Sequence, residues 1–401
     1  MRKRALIFSL AYPPFIGGAE LAVKEITDRI APEEYSFDMI TLRFDSNLPR
    51  VEKIGNVTVH RIGFSTAGAK ISDRAMPFVC KVAKALFPVT AFCKALSLNR
   101  ANRYDLIWAL LANQAGFAAL FFKWCHPQIP YLLELQDGRA LSQMRIRRPV
   151  LRVLWPLYRA VYFRAECIKV ISRFIEGEVR ALGYERDVVL IPNGVDTSTF
   201  AAPTSAQKIA ALKARFGKRE GDVFLFTASR LVLSRGVEDC IEALVHLPSH
   251  VKLLIAGDGE DREKLVHIAS GLGVSERVLF AGHVPHEELP AYFHVSDVFV
   301  RPSLIEGMGS AFIEAFAAGI PVVATAVGGI PDFLTDHITG LFCDVRDPES
   351  VADAVKKYLE DPALAARIII NAKKLATERY DWEDIARAMR VNTFDVLTKR
   401  G

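Results

Sequence analysis

Two glutamates, Glu306 and Glu314, stand eight residues apart with Gly307 and Gly309 between them. They lie in DVFVRPS followed by LIEGMGSAFIEAFAAGIPVVAT, where a strand-like run gives way to a helical pattern starting near Ser310. Glu314 then falls in the first turns of that helix, and Glu306 in the loop ahead of it. A helix N-terminus offers unpaired N–H groups and partial positive charge, so it favours an anion. Carboxylates accept hydrogen bonds from hydroxyls. Together these groups suit a sugar attached to a phosphate; the plainer alternative is a solvated Glu306 and a Glu314 that caps a helix. A second candidate is Gly17-Gly18 in AYPPFIGGAE, where the run ALIFSL passes into another helical pattern. Two glycines there allow close approach of a phosphate to a helix start, although a strand-to-helix turn without a ligand would use the same residues. The spacing is not G-x-G-x-x-G, so no nicotinamide cofactor is indicated.

The elements that must position these residues follow a simple alternation. Short apolar runs occur at 5–10, 37–42, 57–62, 105–111, 131–135, 167–172 and 188–192, and again at 223–229, 251–257, 278–282, 297–303, 321–327 and 339–344. Helical patterns such as ELAVKEITDRI and VEDCIEALVHL fill most of the gaps. Strands buried on both faces and alternating with helices predict parallel sheets covered by helices. The turn-rich IPNGVDTSTFAAPTS, residues 191–205, is the best linker candidate. The expectation is an α/β protein of two doubly wound domains, 1–195 and 196–380. Ligands in such sheets bind outside the carboxyl ends of the strands, and two facing domains would put the site in the cleft between them.

Composition narrows the class. The chain has 401 residues, 51% of them hydrophobic and 24% charged, which is globular rather than disordered. Six cysteines occur without a C-x-x-C pair, which argues against a zinc ribbon or thioredoxin motif and suggests a reducing, cytoplasmic setting. Met1-Arg2-Lys3-Arg4 before ALIFSLA imitates a signal peptide, but Tyr12-Pro13-Pro14 ends the apolar stretch without a small-residue cleavage site. A first buried strand fits better. The uncharged run Leu106 to Phe122 is interrupted by Asn113, Gln114 and Gly116, and reads as a strand leading into a helix; no transmembrane helix is expected.

Charge is uneven. Residues 1–195 carry 28 lysines and arginines against 17 acids, a net +11, and the remainder carries 23 against 29, a net −6. Two stretches concentrate the cations. Residues 70–103 hold Lys70, Arg74, Lys81, Lys84, Lys94, Arg100 and Arg103 with one acid, Asp73, and a stripe Phe78, Val82, Leu86, Val89, Cys93 and Leu96 at helical spacing, kinked or split at Pro88. Residues 139–165 hold Arg139, Arg145, Arg147, Arg148, Arg152, Arg159 and Arg164 with no acid but Trp155, Tyr158, Tyr162 and Phe163. Two helices packed on the first sheet, with solvated cations, would produce this pattern. So would a face for an anionic membrane or a lipid-diphosphate acceptor. No nucleic-acid module is visible, and nucleic acid is not an expected partner.

The segment from Glu306 to Pro331 resembles the E-x7-E signature of glycosyltransferase family 4, the group 1 transferases of GT-B fold. PPFIGGAE, VISRFIEGEVRALGY with VVLIPNGVD, ASRLVLSRGVEDCIEAL and LLIAGDGEDREKL are similar to further motifs of that family, in order along nearly the whole chain. The resemblance implies two Rossmann-like domains facing across a cleft, with a C-terminal helix of about 381–401 packing back onto the first. It implies a retaining transferase that takes a sugar from a nucleotide donor, a UDP- or GDP-sugar, to a glycan or lipid-linked acceptor, with no metal or other cofactor. The chain has no D-x-D, which fits the metal-free design.

The resemblance also assigns residues. Arg230 and Arg235 would contact the donor diphosphate, Arg235 standing where the family usually has Lys. Glu314 would hold the ribose hydroxyls and Glu306 those of the donor sugar. Gly307, Met308 and Gly309 would present backbone N–H groups to the sugar or its phosphate, and Gly17 and Gly18 would close over the diphosphate. His283 and Val284 fall where the family's backbone meets the nucleotide base. Gln136 occupies the place of a usual His; it can orient a sugar but cannot titrate. Asp137 beside it is a candidate base or acceptor-binding group, or a turn cap before Gly138. A non-catalytic nucleotide-sugar or glycan-binding protein on the same fold is the alternative, motivated by Gln136. A third reading, an epimerase or phosphorylase of GT-B fold, is disfavoured by the run from Glu306 to Pro331.

Overall fold

The computed structural model describes residues 2–15, 17–68, 76–138 and 154–400. Backbone contacts divide the chain into two compact units, Met1–Asn193 with Trp382–Gly401, and Gly194–Asp381.

The first unit is built on eight strands: β1 Lys3–Phe8, β2 Tyr35–Leu42, β3 Val51–Ile54, β4 Val57–Ile62, β5 Leu106–Leu110, β6 Tyr131–Leu135, β7 Cys167–Val170 and β8 Asp187–Leu190. Their order is β3-β4-β2-β1-β5-β6-β7-β8. All neighbours are parallel except β3, which pairs antiparallel with β4 across Gly55-Asn56. Strands β5, β6 and β7 are buried at every position, because helices cover both faces of a parallel sheet. The uncharged run of 106–122 resolves into β5 and the helix Gln114–Cys125, whose first turn is capped by the Asn113 side chain accepting from Ala115 N–H at 2.8 Å. The C-terminal segment belongs to this unit: Trp382, Ile385, Met389, Phe394 and Leu397 share a core with Tyr12, Ile26 and Trp108. The Phe394 ring lies 5.2 Å from that of Trp108, and Arg29–Glu383 at 3.0 Å and Arg390–Glu34 bind the segment's surface.

The second unit has six parallel strands: β9 Val223–Ala228, β10 Val251–Ala256, β11 Val278–Gly282, β12 Val298–Arg301, β13 Val322–Thr325 and β14 Leu341–Cys343. Their order is β11-β10-β9-β12-β13-β14, a doubly wound sheet whose direction of winding reverses between β9 and β12. In the first unit the reversal falls between β1 and β5. A crevice forms where successive connections leave for opposite faces, so these switch points are where ligands bind in such sheets. The residues after β9 and β12 are Ser229-Arg230 and the loop to Glu306.

The two basic stretches resolve differently. The helix Phe78–Asn102 runs unbroken through Pro88 rather than splitting there. Its core-facing residues are Cys80, Ala83, Phe87, Ala91, Ala95 and Leu98. Of the stripe, Phe78, Val82, Leu86, Val89 and Cys93 are exposed and Leu96 is half-buried, so it is the outward face, not the packed one. In the helix Trp155–Phe163 the opposite holds: Tyr158 and Tyr162 are buried, so these aromatics are core rather than surface. Lys70, Asp73, Arg74, Arg139, Arg145, Arg147, Arg148 and Arg152 lie outside the described residues. Among the described residues no helix is long and apolar enough to cross a membrane.

Candidate functional site

The helix Ser310–Ala318 follows β12 and begins behind Gly309. Gly309 sits at φ +88°, and a Cβ there would come within 2.6 Å of both the Arg301 guanidinium and the Phe312 ring, so only glycine fits. The loop ahead of the helix carries Glu306, buried at 6% exposure. The Leu304 N–H donates to the Ser234 carbonyl at 2.9 Å, which lashes this loop to the single turn Leu233–Arg235. That contact brings Arg235 to Glu306: its Nη1 donates to Glu306 Oε2 at 2.5 Å.

Arg301, the last residue of β12, donates to the same oxygen from Nη2 at 2.9 Å and to the Ala228 carbonyl from Nη1 at 3.2 Å. Its guanidinium lies 4.1 Å from the Phe312 ring centroid. Burial lowers its pKa to about 10, with Glu306 acting in the other direction, so it stays cationic at neutral pH. Glu306 is thus a buried carboxylate held by two guanidinium groups, one sealed beneath it and one, Arg235, a quarter exposed. Glu306 Oε1 accepts from its neighbour's amide, Gly307 N–H, at 3.1 Å. That amide, expected to face a sugar, is turned to the carboxylate instead. Met308 is buried.

Beside this cluster is a pocket of about 580 Å³, opening at the ends of β9, β10 and β11. Arg230, His283, Val284 and Glu314, four of the residues expected at a donor site, line it together with Ala228, Gly257, Asp258, His286 and Ala311. Gly257, at φ +142°, keeps the β9 and β10 turns in contact; a Cβ there would sit 1.8 Å from the Ser229 carbonyl oxygen. Arg230 is exposed, and among the described residues it forms no ion pair. Glu314 is 6% exposed and its Oε1 lies 3.0 Å from His286 Nε2. The Arg301 bond to Ala228, a wall residue, connects the pocket to the Glu306 cluster.

The remaining named residues lie in the first unit. Gly17 precedes the helix Gly18–Asp28, and its N–H donates to Glu20 at 2.9 Å, so this helix start is capped by the chain's own carboxylate. Burial raises the Glu20 pKa. Gly18 faces open space. Gln136, after β6, is fixed on both sides of its amide. Its Nε2 donates to Glu134 at 2.6 Å and its Oε1 accepts from Asn193 at 2.9 Å. Glu134 is fully buried and also accepts from Lys169 at 2.6 Å and Trp108 at 2.9 Å. Asp137 is half-buried in the next position.

Arg301, His286 and the Glu134–Lys169 pair were not singled out from the sequence, yet each left a trace in it. Arg301 is a lone charge ending a buried run, and His286 is the second His of GHVPHEEL. Glu134 and Lys169 are the single charges in two consecutive buried strands, and they sit directly opposite in register. Isolated buried charges are costly unless paired, so opposite charges in such positions identify each other. Among the described residues no group of three or more His, Cys, Asp or Glu side chains is placed to hold a metal ion.

Two doubly wound units, the second with a carboxylate and two arginines clustered at its switch point, make an α/β architecture with a candidate ligand site at its strand ends. The chain matches the glycosyl transferases group 1 family over residues 208–375 and the glycosyl transferase 4-like domain over residues 17–194. The protein belongs to the group 1 glycosyltransferases. It is 27% identical over 391 residues to an uncharacterized glycosyltransferase of Methanocaldococcus jannaschii, covering 96% of each chain. It is 34% identical over 229 residues to the GDP-mannose-dependent alpha-(1-6)-phosphatidylinositol monomannoside mannosyltransferase of Mycolicibacterium smegmatis, covering 54% of this chain and 59% of that one. In fold it matches the sucrose-phosphate synthase of Thermosynechococcus elongatus with a TM-score of 0.81 at 22% identity, over 100% of both chains.

Proposed function

We propose that this glycosyltransferase is retaining and metal-independent, and moves a hexosyl group from a nucleotide-sugar donor to a glycan or lipid-linked acceptor in polysaccharide or glycolipid biosynthesis. We place it in the cytoplasm, at the inner face of the membrane. The observation that carries the reading is the pocket joining Arg230, His283, Val284 and Glu314 beside a carboxylate held by two arginines.

The pocket is of a size that encloses a small ligand, and its polar groups are few and convergent. Glu314 would accept from ribose hydroxyls while His286 fixes its orientation, and the backbone at His283 and Val284 would meet the base. Arg230 and the exposed part of Arg235 would take the diphosphate. Charge develops on that diphosphate as the sugar departs, so preorganised cations and the N-terminus of the helix Ser310–Ala318 stabilise the transition state more than the ground state. Glu306 Oε1 would accept from donor-sugar hydroxyls. Gly17 and Gly18, Gln136 and Asp137 are proposed to serve the donor and acceptor from the first unit. Gln136 would orient and Asp137 would accept a proton or bind the acceptor. The fixed amide of Gln136 cannot act as a base.

The experiment is donor turnover followed by NMR of the product's anomeric proton, with and without EDTA. Unchanged rates in EDTA and a product with the donor's anomeric configuration are expected. Inversion, or activity that returns only with added magnesium or manganese, would overturn the mechanism; binding of a sugar nucleotide with no turnover would favour the non-catalytic reading. Arg230→Ala and Arg235→Ala should each cost about 2–4 kcal/mol of transition-state stabilisation, measured as kcat/KM. Arg235→Lys should be milder. If Arg235→Lys were as damaging as Arg235→Ala, the position would need bidentate geometry toward Glu306 or phosphate rather than charge alone.

A further inference from the structure

The helix Phe78–Asn102 is apolar on two sides. One side is in the core; the other presents Phe78, Val82, Leu86 and Val89 at 79%, 37%, 46% and 55% exposure, with Cys93 exposed one turn on. At 1.5 Å per residue this outer row is about 22 Å long. Exposed Lys81 flanks it, exposed Arg100 continues its line, and the helix contains no acidic residue. A ring contact chain, Phe92–Phe121 at 6.3 Å and Phe121–Trp124 at 5.7 Å, extends the apolar surface to Trp124 on the neighbouring helix, itself 48% exposed.

We infer that this face docks on the surface of a bilayer rich in anionic headgroups. An apolar row bordered by cations is the pattern of a helix lying in the interface plane, side chains among the acyl chains and ammonium groups among the phosphates. Trp is suited to the same boundary, with an apolar ring and one polar N–H. A second copy of this helix would bring its lysines against the first copy's lysines, with no acid on either, so self-association is electrostatically disfavoured. The inference deepens the membrane-side reading of the acceptor and rests on it only for the choice of an anionic leaflet.

The test is sedimentation of the full chain with vesicles of phosphatidylcholine alone and with roughly one-third phosphatidylglycerol. Binding should require the anionic lipid and fall sharply toward 1 M salt, where the Debye length is about 3 Å. Leu86→Asp with Val89→Asp should lower the bound fraction about tenfold at unchanged melting temperature, since both side chains are exposed. Lys81→Glu with Arg100→Glu should act in the same direction. Equal recovery with both vesicles, no binding, or full binding by the Leu86→Asp, Val89→Asp variant would overturn the inference. A dimer in sedimentation velocity that the same variant dissolves would reassign the face to a second copy. No donor or acceptor is present, so failure here leaves the transferase reading untouched.

Discussion

Glu306→Gln is expected to lower transfer about 10²–10³-fold at saturating donor while the protein remains folded, the scale seen when one preorganised electrostatic group is removed from a reacting centre. Gln keeps the shape and can still accept from Arg301 and Arg235, so the loop is not left empty. What disappears is the negative charge between two guanidinium groups, and with it the strong acceptor for sugar hydroxyls. Because Arg301 is buried, its charge then faces a neutral partner, so a modest fall in melting temperature should accompany the loss of rate. Near-normal kcat with a folded protein would remove Glu306 from the reacting centre.

Arg301→Met is expected to be the most destabilising change at the site. Removing one partner of a buried ion pair costs about 3–5 kcal/mol, because the other charge and its hydrogen-bonding groups are left behind. Here the substitution leaves the Ala228 carbonyl without that donor, and Glu306 with Arg235 alone. It also removes the cation from the face of Phe312, although Met refills much of the volume. Arg301 acts by positioning: it is sealed beneath Glu306 and aims the carboxylate. The readout is therefore double. Chemical denaturation should show the stability loss, and kcat should fall in the population that remains folded, with KM for the donor changing less. Arg301→Lys restores charge but not the forked geometry, and should recover stability better than rate. A variant with normal kcat and normal stability would mean that Arg235 alone holds Glu306.

Much of the fold was legible because parallel strands covered on both faces leave continuous apolar runs. YLLEL and VLFAG coincide with β6 and β11 residue for residue. Strand β3 was not legible: it is four residues long, lies on the edge, and alternates exposed and half-buried positions, so VEKI carries little apolar signal; only Gly55-Asn56 marks the hairpin. The row from Phe78 to Cys93 has helical spacing, but spacing cannot say which of two apolar faces meets the sheet. The small residues Ala83, Ala91 and Ala95 let the other face approach closely and take the core. At the candidate site, Arg230, His283, Val284 and Glu314 line one pocket, and Arg235 meets Glu306, as their order along the strand ends allows. Arg301 is not legible because a charge at the end of VFVR reads as the strand leaving the core, whereas it is turned under the loop it supports. The capping of Gly17 by Glu20 is likewise a three-residue contact that a glycine pair alone does not announce.

The pocket at the ends of β9, β10 and β11 is read as the seat of the donor nucleotide, and binding tests that directly. Wild-type protein and Glu314→Gln should be titrated with UDP-, GDP- and ADP-hexoses while the melting temperature is followed. A ligand at 100 times its Kd stabilises the state it binds by about 2.7 kcal/mol, a rise of several degrees for a unit of this size. One nucleotide class should produce that rise in the wild type, and Glu314→Gln should need at least about tenfold more ligand to match it, as expected when a charged acceptor for ribose hydroxyls is lost. No shift with any nucleotide sugar, or an identical shift in Glu314→Gln, would show that the nucleotide does not sit on Glu314.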